Sequence, residues 1–356
     1  MMIREAFAPH KKLDGNKIRC DLCPRHCVIP PGRRGFCKTR ENRDGKLYTL
    51  IYGSLTALAV DPIEKKPLYN FWPGALAFSI STVGCSFACK FCQNWSISQV
   101  TIEEARGRIE EYSPEEIVAL AKKYDCETIA YTYNEPIIWF EFVYDTAKLA
   151  HKEGVKNILV TNGYITLEAL EELVPYIDAA NIDIKAFSDK FYKELCSVPS
   201  FKPVLEATKY MKEKGVHVEC TNLIIPGYND NFDEIRQLAR WVFEELGPDT
   251  PLHFSRFYPH YKMIYVSPTP ISTLVKAREI AMKEIGLHYV YIGNVPGHEG
   301  EYTYCPECGY PVVKRLGFDI TEWNLTEDMK CKKCGTKIAI KGEYRGDRHR
   351  LINYIR

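Results

Sequence analysis

The chain has 356 residues, 46% of them hydrophobic and 26% charged, with a formal net charge of +1. That length exceeds one small core, and the near-neutral balance supplies no global basic field for nucleic acid or anionic lipid. Met1-Met2-Ile3-Arg4-Glu5-Ala6 lacks the apolar core of a signal peptide, and no run approaches the ~18 apolar residues of a membrane span. A cytoplasmic protein without a membrane partner is the expectation, with nucleic acid disfavoured as a partner but left open. Fourteen cysteines in such a chain point to metal ligation rather than disulfides.

Cys20, Cys23, Cys27 and Cys37 stand in a segment punctuated by prolines and glycines, which reads as loop rather than helix or strand. A loop this poor in apolar residues needs a staple. Four thiolates around zinc, or around an auxiliary iron–sulfur cluster, would supply it, and both stay open at this point. His26 between two of the thiols reads as a bystander. Residues 46–76 read as short strands and turns. They end in Asp61–Gly74, rich in proline, charge and aromatics: a lid at a site mouth, or a linker packed on the core.

Apolar strand-like runs then recur at 78–84, 128–133, 157–162, 180–185, 216–225 and 252–258, with helical patterns between them. Ser113-Pro114-Glu115-Glu116 opens one helix as a capping box with proline at the first helical position. Thr166-Leu167-Glu168 opens another. A third carries Ile235, Leu238, Ala239, Val242, Phe243 and Leu246 on one face and stops at Gly247-Pro248; residues 270–286 supply the last. The alternation predicts an α/β fold with right-handed crossovers, a partial (β/α)6 barrel over 46–296 whose site lies at the carboxyl ends of the strands. Residues 1–45 form a Cys-rich segment before it, and 297–356 a small module after it.

Cys85, Cys89 and Cys92 follow the first of these strands with spacings x3 and x2. Three such thiolates can hold three irons of a [4Fe–4S] cube, which normally takes a fourth cysteine. No further thiol follows until Cys126, so one iron would stay open to a non-protein ligand. Zinc, or plain packing of small thiols, is the alternative. Cys305-Pro306-Glu307-Cys308-Gly309 and Cys331-Lys332-Lys333-Cys334-Gly335 are two knuckles of a zinc-ribbon pattern, with a rubredoxin-like iron site sharing the ligand set. Cys126, Cys196 and Cys220 read as buried thiols acting as small hydrophobes. Lys337, Lys341, Arg345, Arg348, Arg350 and Arg356, against Glu343 and Asp347, read as a solvated basic tail.

Cys85-Ser86-Phe87-Ala88-Cys89-Lys90-Phe91-Cys92 resembles the signature of the radical SAM superfamily, in which the amino and carboxylate groups of S-adenosylmethionine (SAM) chelate the open iron. The family places an acid after its second strand to receive the methionyl ammonium. Here Tyr133-Asn134-Glu135 stands where relatives read Gly-Gly-Glu, and Glu135 is the implied acceptor. Asn181-Ile182-Asp183-Ile184-Lys185 resembles the Asp-Leu-Lys motif of pyruvate formate-lyase activating enzyme. It implies Lys185 near the SAM carboxylate and Asp183 near a polar group, with a mutual salt bridge as the bland reading. Phe91, Asn134 and Asn162 complete the implied cofactor contacts. Ile225-Pro226-Gly227-Tyr228-Asn229-Asp230 resembles the Val-Pro-Gly-x-x-Asp turn of those enzymes, but Thr221 stands where they carry arginine. Arg256 is a possible substitute, and His253 or His260 could also serve the site.

With the N-terminal Cys-Asp-Leu-Cys-Pro-Arg-His-Cys block, the chain is most similar to the AmmeMemoRadiSam-system radical SAM enzymes. The resemblance implies reductive cleavage of SAM to a 5′-deoxyadenosyl radical that abstracts hydrogen from an unidentified substrate. Ferredoxin or flavodoxin would be the electron donor, and AMMECR-type and Memo-type proteins would be associated partners. A glycyl-radical-enzyme activase is one alternative. A non-catalytic iron–sulfur or zinc module is another, and it would not need Glu135, Asp183 and Lys185 to face the cysteines.

Overall fold

A computed structural model describes residues 2–346. Its central sheet contains β1 (Ala57–Pro62), β2 (Leu76–Ser81), β3 (Thr128–Tyr131) and β4 (Lys156–Thr161). It continues with β5 (Ala179–Asp183), β6 (His217–Ile224), β7 (Leu252–Arg256) and β8 (Val290–Gly293). Neighbours in the sheet are neighbours in sequence. β2 to β8 are parallel, and β1 lies antiparallel on β2. The ladder does not close, so β1 and β8 are its edges among the described residues.

Six helices fill the crossovers: α1 (Pro114–Lys123), α2 (Phe140–Lys152), α3 (Leu167–Leu173), α4 (Lys202–Glu213), α5 (Phe232–Trp241) and α6 (Ile271–Glu279). The capping box of α1 is formed: Glu116 N donates to Ser113 Oγ at 3.2 Å and Ser113 N to the Glu116 carboxylate at 2.7 Å. Every residue of β2 is buried, the signature of a strand covered on both faces.

The expected six parallel strands become seven. β8 is four residues long, follows closely on the turn at Gly286, and is too short to show periodicity. β1 belongs to the stretch read as short strands and turns, and its antiparallel pairing has no local signal.

The 61–74 segment is not a lid over the site. Tyr69 N and Asn70 N donate to the Glu219 carboxylate at 3.1 and 2.7 Å, and Asn181 Nδ2 donates to Pro67 O at 2.8 Å. Leu68, Tyr69, Asn70 and Phe71 are buried there, near the amino ends of the strands and away from the cysteine loop.

In the N-terminal segment Cys23, Cys27 and Cys37 lie in turns and loops as expected and Cys20 ends a strand, while two small antiparallel sheets frame them. One is ordered 2–5, 46–52, 40–43, and the other 10–12, 18–20, 28–29. They share one apolar cluster with the central sheet. The buried Arg40 fixes them to α2 through a bidentate pair with Glu141, at 2.9 and 2.7 Å. The C-terminal module is a three-stranded antiparallel sheet (303–304, 311–316, 319–323) with its own apolar cluster, which includes Tyr69, Tyr289 and Tyr291 of the central unit. Buried Arg315 donates to Tyr69 O at 3.0 Å and seals that contact.

In the basic tail, Lys341 donates to Gly215 O and Arg345 lies over the Trp72 ring, so these two pack on the fold. Asp347, Arg348, Arg350 and Arg356 lie outside the described residues. Among the described residues no helix is long and apolar enough to cross a membrane.

Candidate active site

β2 delivers Gly84 and the cysteine loop to the carboxyl end of the sheet. Gly84 has φ +85°, and a Cβ there would lie 2.7 Å from both Cys37 O and Thr39 Cγ2. Only glycine allows the N-terminal segment to come that close. Asn134 clamps the loop's entry, accepting from Thr82 N at 3.2 Å and donating to Gly84 O at 3.0 Å. The other side is held by Ala88 N to Cys196 O (3.1 Å), Lys90 N to Leu195 O (2.9 Å) and Arg25 Nε to Ser86 O (2.6 Å).

Within this frame Cys85, Cys89 and Cys92 are near enough for mutual electrostatic repulsion. Burial pushes the Cys85 thiol well above its usual range. A thiol so placed is protonated at neutral pH and is no free nucleophile. Phe87 N donates to Cys85 Sγ at 3.4 Å, and Cys92 Sγ lies 3.1 Å from Ser98 Oγ.

The strand ends bring the other predicted residues around the triad. Lys185 and Asp183 form the mutual salt bridge, and Lys185 Nζ stands 5.6 Å from the centre of the Phe91 ring. The Asp183 carboxylate and the nearby Cys89 thiol hold the Lys185 ammonium above its ordinary range despite burial. Asn162 Nδ2 donates to Ser86 Oγ at 3.1 Å and approaches Cys85 Sγ at 3.9 Å.

Glu135 is buried and already holds three donors: Ile137 N (3.0 Å), Thr161 Oγ1 (2.7 Å) and Asn162 N (2.8 Å). A carboxylate offers about four acceptor positions, so roughly one remains for a ligand. Burial pushes this carboxyl up to about 7.

Tyr133, where relatives read glycine, has φ +67°, a conformation that costs a non-glycine residue about 1–2 kcal/mol. Its hydroxyl bonds Asp61, its ring lies 4.6 Å from Lys66 Nζ, and Asn94 donates to its carbonyl at 2.7 Å. Tyr133 thus takes a left-handed backbone of the kind glycine favours, and its ring is secured from inside the fold.

Three buried polar atoms close to these strand ends have no partner: Thr82 Oγ1, Asp183 Oδ1 and Asn222 Oδ1. Leaving one such group unpaired costs about 1–3 kcal/mol. A polar ligand seated over the cysteine triad repays that cost, and the donor set around it suits a SAM-chelated cluster.

One expectation changes. His253 does not face the triad; it is buried at 2.7 Å from Glu219, with Tyr69 and Tyr291 packed on its ring. Cys196 is the buried thiol expected, but its place is new: it lies beside Cys89, and its carbonyl accepts from Ala88 N of the cysteine loop at 3.1 Å. Its distance along the chain hid this.

His260 is exposed on the segment whose Tyr261 stacks on Trp95 at 5.2 Å and whose Lys262 N bonds Lys90 O at 3.0 Å. Arg256 is spent on Thr269 O and Tyr258 Oη, at 2.9 and 3.0 Å. Thr221 bonds Asn181 at 2.9 Å. Asn222 and Asn229, which the sequence did not single out for the site, hold the Lys185 carbonyl at 3.2 and 2.7 Å.

The two flanking cysteine groups differ in geometry. The sulfurs of Cys305, Cys308, Cys331 and Cys334 lie within 4.8 Å of one another. Thr336 hydrogen bonds lower the Cys334 thiol to about 6, which makes it a ready thiolate. Cys20, Cys23, Cys27 and Cys37 instead line a cavity under the cysteine loop.

Residues 79–242 match the family model of the Radical SAM superfamily. The chain is 52% identical over 339 residues to an uncharacterized protein of Methanocaldococcus jannaschii, covering 95% of this chain and 99% of that one. It is 27% identical over 167 residues to the pyruvate formate-lyase 1-activating enzyme of Escherichia coli, covering 45% of this chain and 65% of that enzyme. A domain of a pyruvate-formate lyase-activating enzyme from Bacteroides vulgatus aligns with TM-score 0.41 and 18% identity, over 46% of this chain and 98% of that one. The family match runs from inside β2 through α5, and so takes in the cysteine triad together with Glu135, Asp183 and Lys185: these residues form a Radical SAM domain, and the chain is a radical SAM enzyme, similar in this region to the activating enzymes.

Proposed function

We propose that Cys85, Cys89 and Cys92 hold a [4Fe–4S] cluster with one open iron, and that the surrounding strand ends seat SAM on it. When bound, the pair supplies one-electron reductive cleavage of SAM, giving methionine and a 5′-deoxyadenosyl radical that takes hydrogen from a substrate. The chain's own residues bind, orient and exclude water. Lys185 offers a fixed positive charge to the SAM carboxylate, and Asp183 keeps Oδ1 for a hydroxyl or amine of cofactor or substrate. Glu135 offers its remaining acceptor position to an N–H of the methionyl amino group, while Asn134 and Asn162 hold the cysteine loop and Phe91 packs against Lys185. The observation that carries this reading is Asp183: a buried carboxylate oxygen without a partner, beside a lysine and the cysteine triad. A non-catalytic module has no use for it.

The Glu135 carboxyl gives this reading a pH signature. Its folded value, about 7, lies above the ordinary range, so the folded state prefers it protonated; that contribution is complete below about pH 4.5 and is lost as pH rises through about 7. An amine N–H donated to it by iron-bound SAM favours the carboxylate instead. SAM affinity of the reconstituted protein should therefore rise between pH 6 and 8, as calorimetry reads it, and rise less steeply in Glu135→Gln, where only the proton released by the chelating amine remains.

The substrate reading follows from the relatives. A Methanocaldococcus jannaschii relative, 27% identical over 223 residues, is named a putative glycyl-radical enzyme activating enzyme, which makes a glycyl-radical enzyme the alternative target. The resemblance to AmmeMemoRadiSam-system enzymes names AMMECR-type and Memo-type proteins as partners, which co-purification from the native host tests. Electrons come from a ferredoxin or flavodoxin, as is usual for radical SAM enzymes.

The C-terminal four-cysteine group is assigned zinc in a ribbon-like module. Four sulfurs about 2.3 Å from one zinc stand roughly 3.8 Å apart, and Cys305–Cys334 and Cys308–Cys331 are 3.5 and 3.8 Å apart. Cys331→Ser is expected to remove about one zinc per chain and to expose residues 303–340 to proteolysis. Elemental analysis and limited digestion check it; full zinc in the variant contradicts the assignment.

A further inference from the structure

We infer that Cys20, Cys23, Cys27 and Cys37 hold a second [4Fe–4S] cluster, ligated at all four corners and set against the catalytic cysteine loop. Three observations separate this from a structural zinc. First, among the described residues the C-terminal tetrad closes to single-ion distance, whereas no three of these four thiols do so; the triad Cys85, Cys89 and Cys92 behaves the same way. A cube holds one cysteine at each corner and keeps their sulfurs farther apart than one ion does.

Second, the four thiols surround an enclosed cavity of about 20 Å³. That exceeds the roughly 10–15 Å³ needed to admit a water, while thiolates closed on a bare ion leave no void. Third, Arg40 lines this cavity with its Nε–H unpartnered, although the side chain is 1% exposed and both Nη atoms are spent on Glu141. A buried donor without a partner calls for an acceptor, and an anionic cluster presents sulfur atoms that accept N–H bonds. Thr39 Oγ1 already donates to Cys37 Sγ at 3.2 Å, in the same sense.

The location gives the cluster a use. Ser86, inside the catalytic loop, lines the same cavity, and the Cys37 carbonyl packs on Gly84. With no open iron this cluster binds no SAM. Reduced by a one-electron iron–sulfur or flavin carrier, it stands one loop's thickness from the cluster it would reduce in turn, being reoxidised as it does so. The assignment of metal here stands whether or not the chain cleaves SAM; the electron hand-off rests on that reading.

The decisive protein is the full chain carrying Cys85→Ala, Cys89→Ala and Cys92→Ala, reconstituted anaerobically. It should keep about four irons and four sulfides and show, after dithionite, a paramagnetic signal that SAM does not alter. The native chain should hold about eight irons, and its fully reduced spectrum should be broadened by coupling between neighbouring clusters. Cys23→Ser/Cys27→Ser should hold about four irons with a SAM-sensitive signal. An iron-free triple variant that holds about two zincs per chain, one of them lost in Cys23→Ser/Cys27→Ser, or a double variant that still holds eight irons, overturns the inference. A native spectrum that is the plain sum of the two variants' signals overturns the placement.

Discussion

Cys85→Ala is expected to reduce SAM cleavage to background, with loss of the SAM-sensitive cluster signal and little change in thermal stability. Its thiol supplies one of only three anchors for the catalytic cluster, and its side chain carries no other tie than the 3.4 Å bond from Phe87 N and the approach of Asn162. Cys196→Ala is the matched control. That thiol lies against Cys89 and is as buried as a thiol can be. If it only packs there, the variant keeps its iron and its turnover within about twofold and loses roughly 1 kcal/mol of stability. Iron analysis and anaerobic product assays on both variants separate ligand from neighbour. A Cys85→Ala protein that cleaves SAM at the native rate contradicts the assignment.

Arg40→Ala is expected to cost about 3–5 kcal/mol of stability, the range for stripping one partner from a buried ion pair. Arg40 and Glu141 are each 1% exposed at the side chain, and Glu141 also accepts from Ala8 N at 3.1 Å. Burial alone would raise the Glu141 carboxyl, but the Arg40 charge overrides it and holds the group below its ordinary value. Its stabilising contribution is therefore present above the unfolded carboxyl range, near pH 4.5, and is lost as pH falls through the depressed folded value. In Arg40→Ala the sign inverts, because the carboxylate is then buried without a counter-charge. Urea unfolding at pH 7 and pH 5 reads both effects: a large loss at pH 7 that shrinks on acidification. A loss below about 1 kcal/mol at pH 7 would place the pair outside the work of fastening the N-terminal sheets to α2.

Much of the site was legible in the sequence because its chemistry is local. The cysteine triad, the Asp183–Lys185 alternation and the Ser113 capping box each depend on residues a few positions apart. What escaped was non-local. Cys196 reaches Cys89 only after β5 and its crossover fold back onto the cysteine loop. His253 looks like a site histidine beside Arg256 and His260, yet its position early in β7 turns it to Glu219 near the opposite end of the sheet. The 61–74 segment has the composition of a lid, and only the buried Glu219 carboxylate explains why its backbone is tied beneath the strands instead. Tyr133 was visible as a departure from glycine. The left-handed backbone it adopts, and the Asp61 and Lys66 partners that hold its ring, follow from packing alone.

The most direct test is the cleavage reaction on the native chain. With cluster reconstituted anaerobically and reduced by dithionite, added SAM should yield 5′-deoxyadenosine and methionine in equal amounts by chromatography, and no 5′-deoxyadenosine should form with Cys85→Ala. A native protein that carries its full iron and binds SAM but releases no 5′-deoxyadenosine would contradict the account.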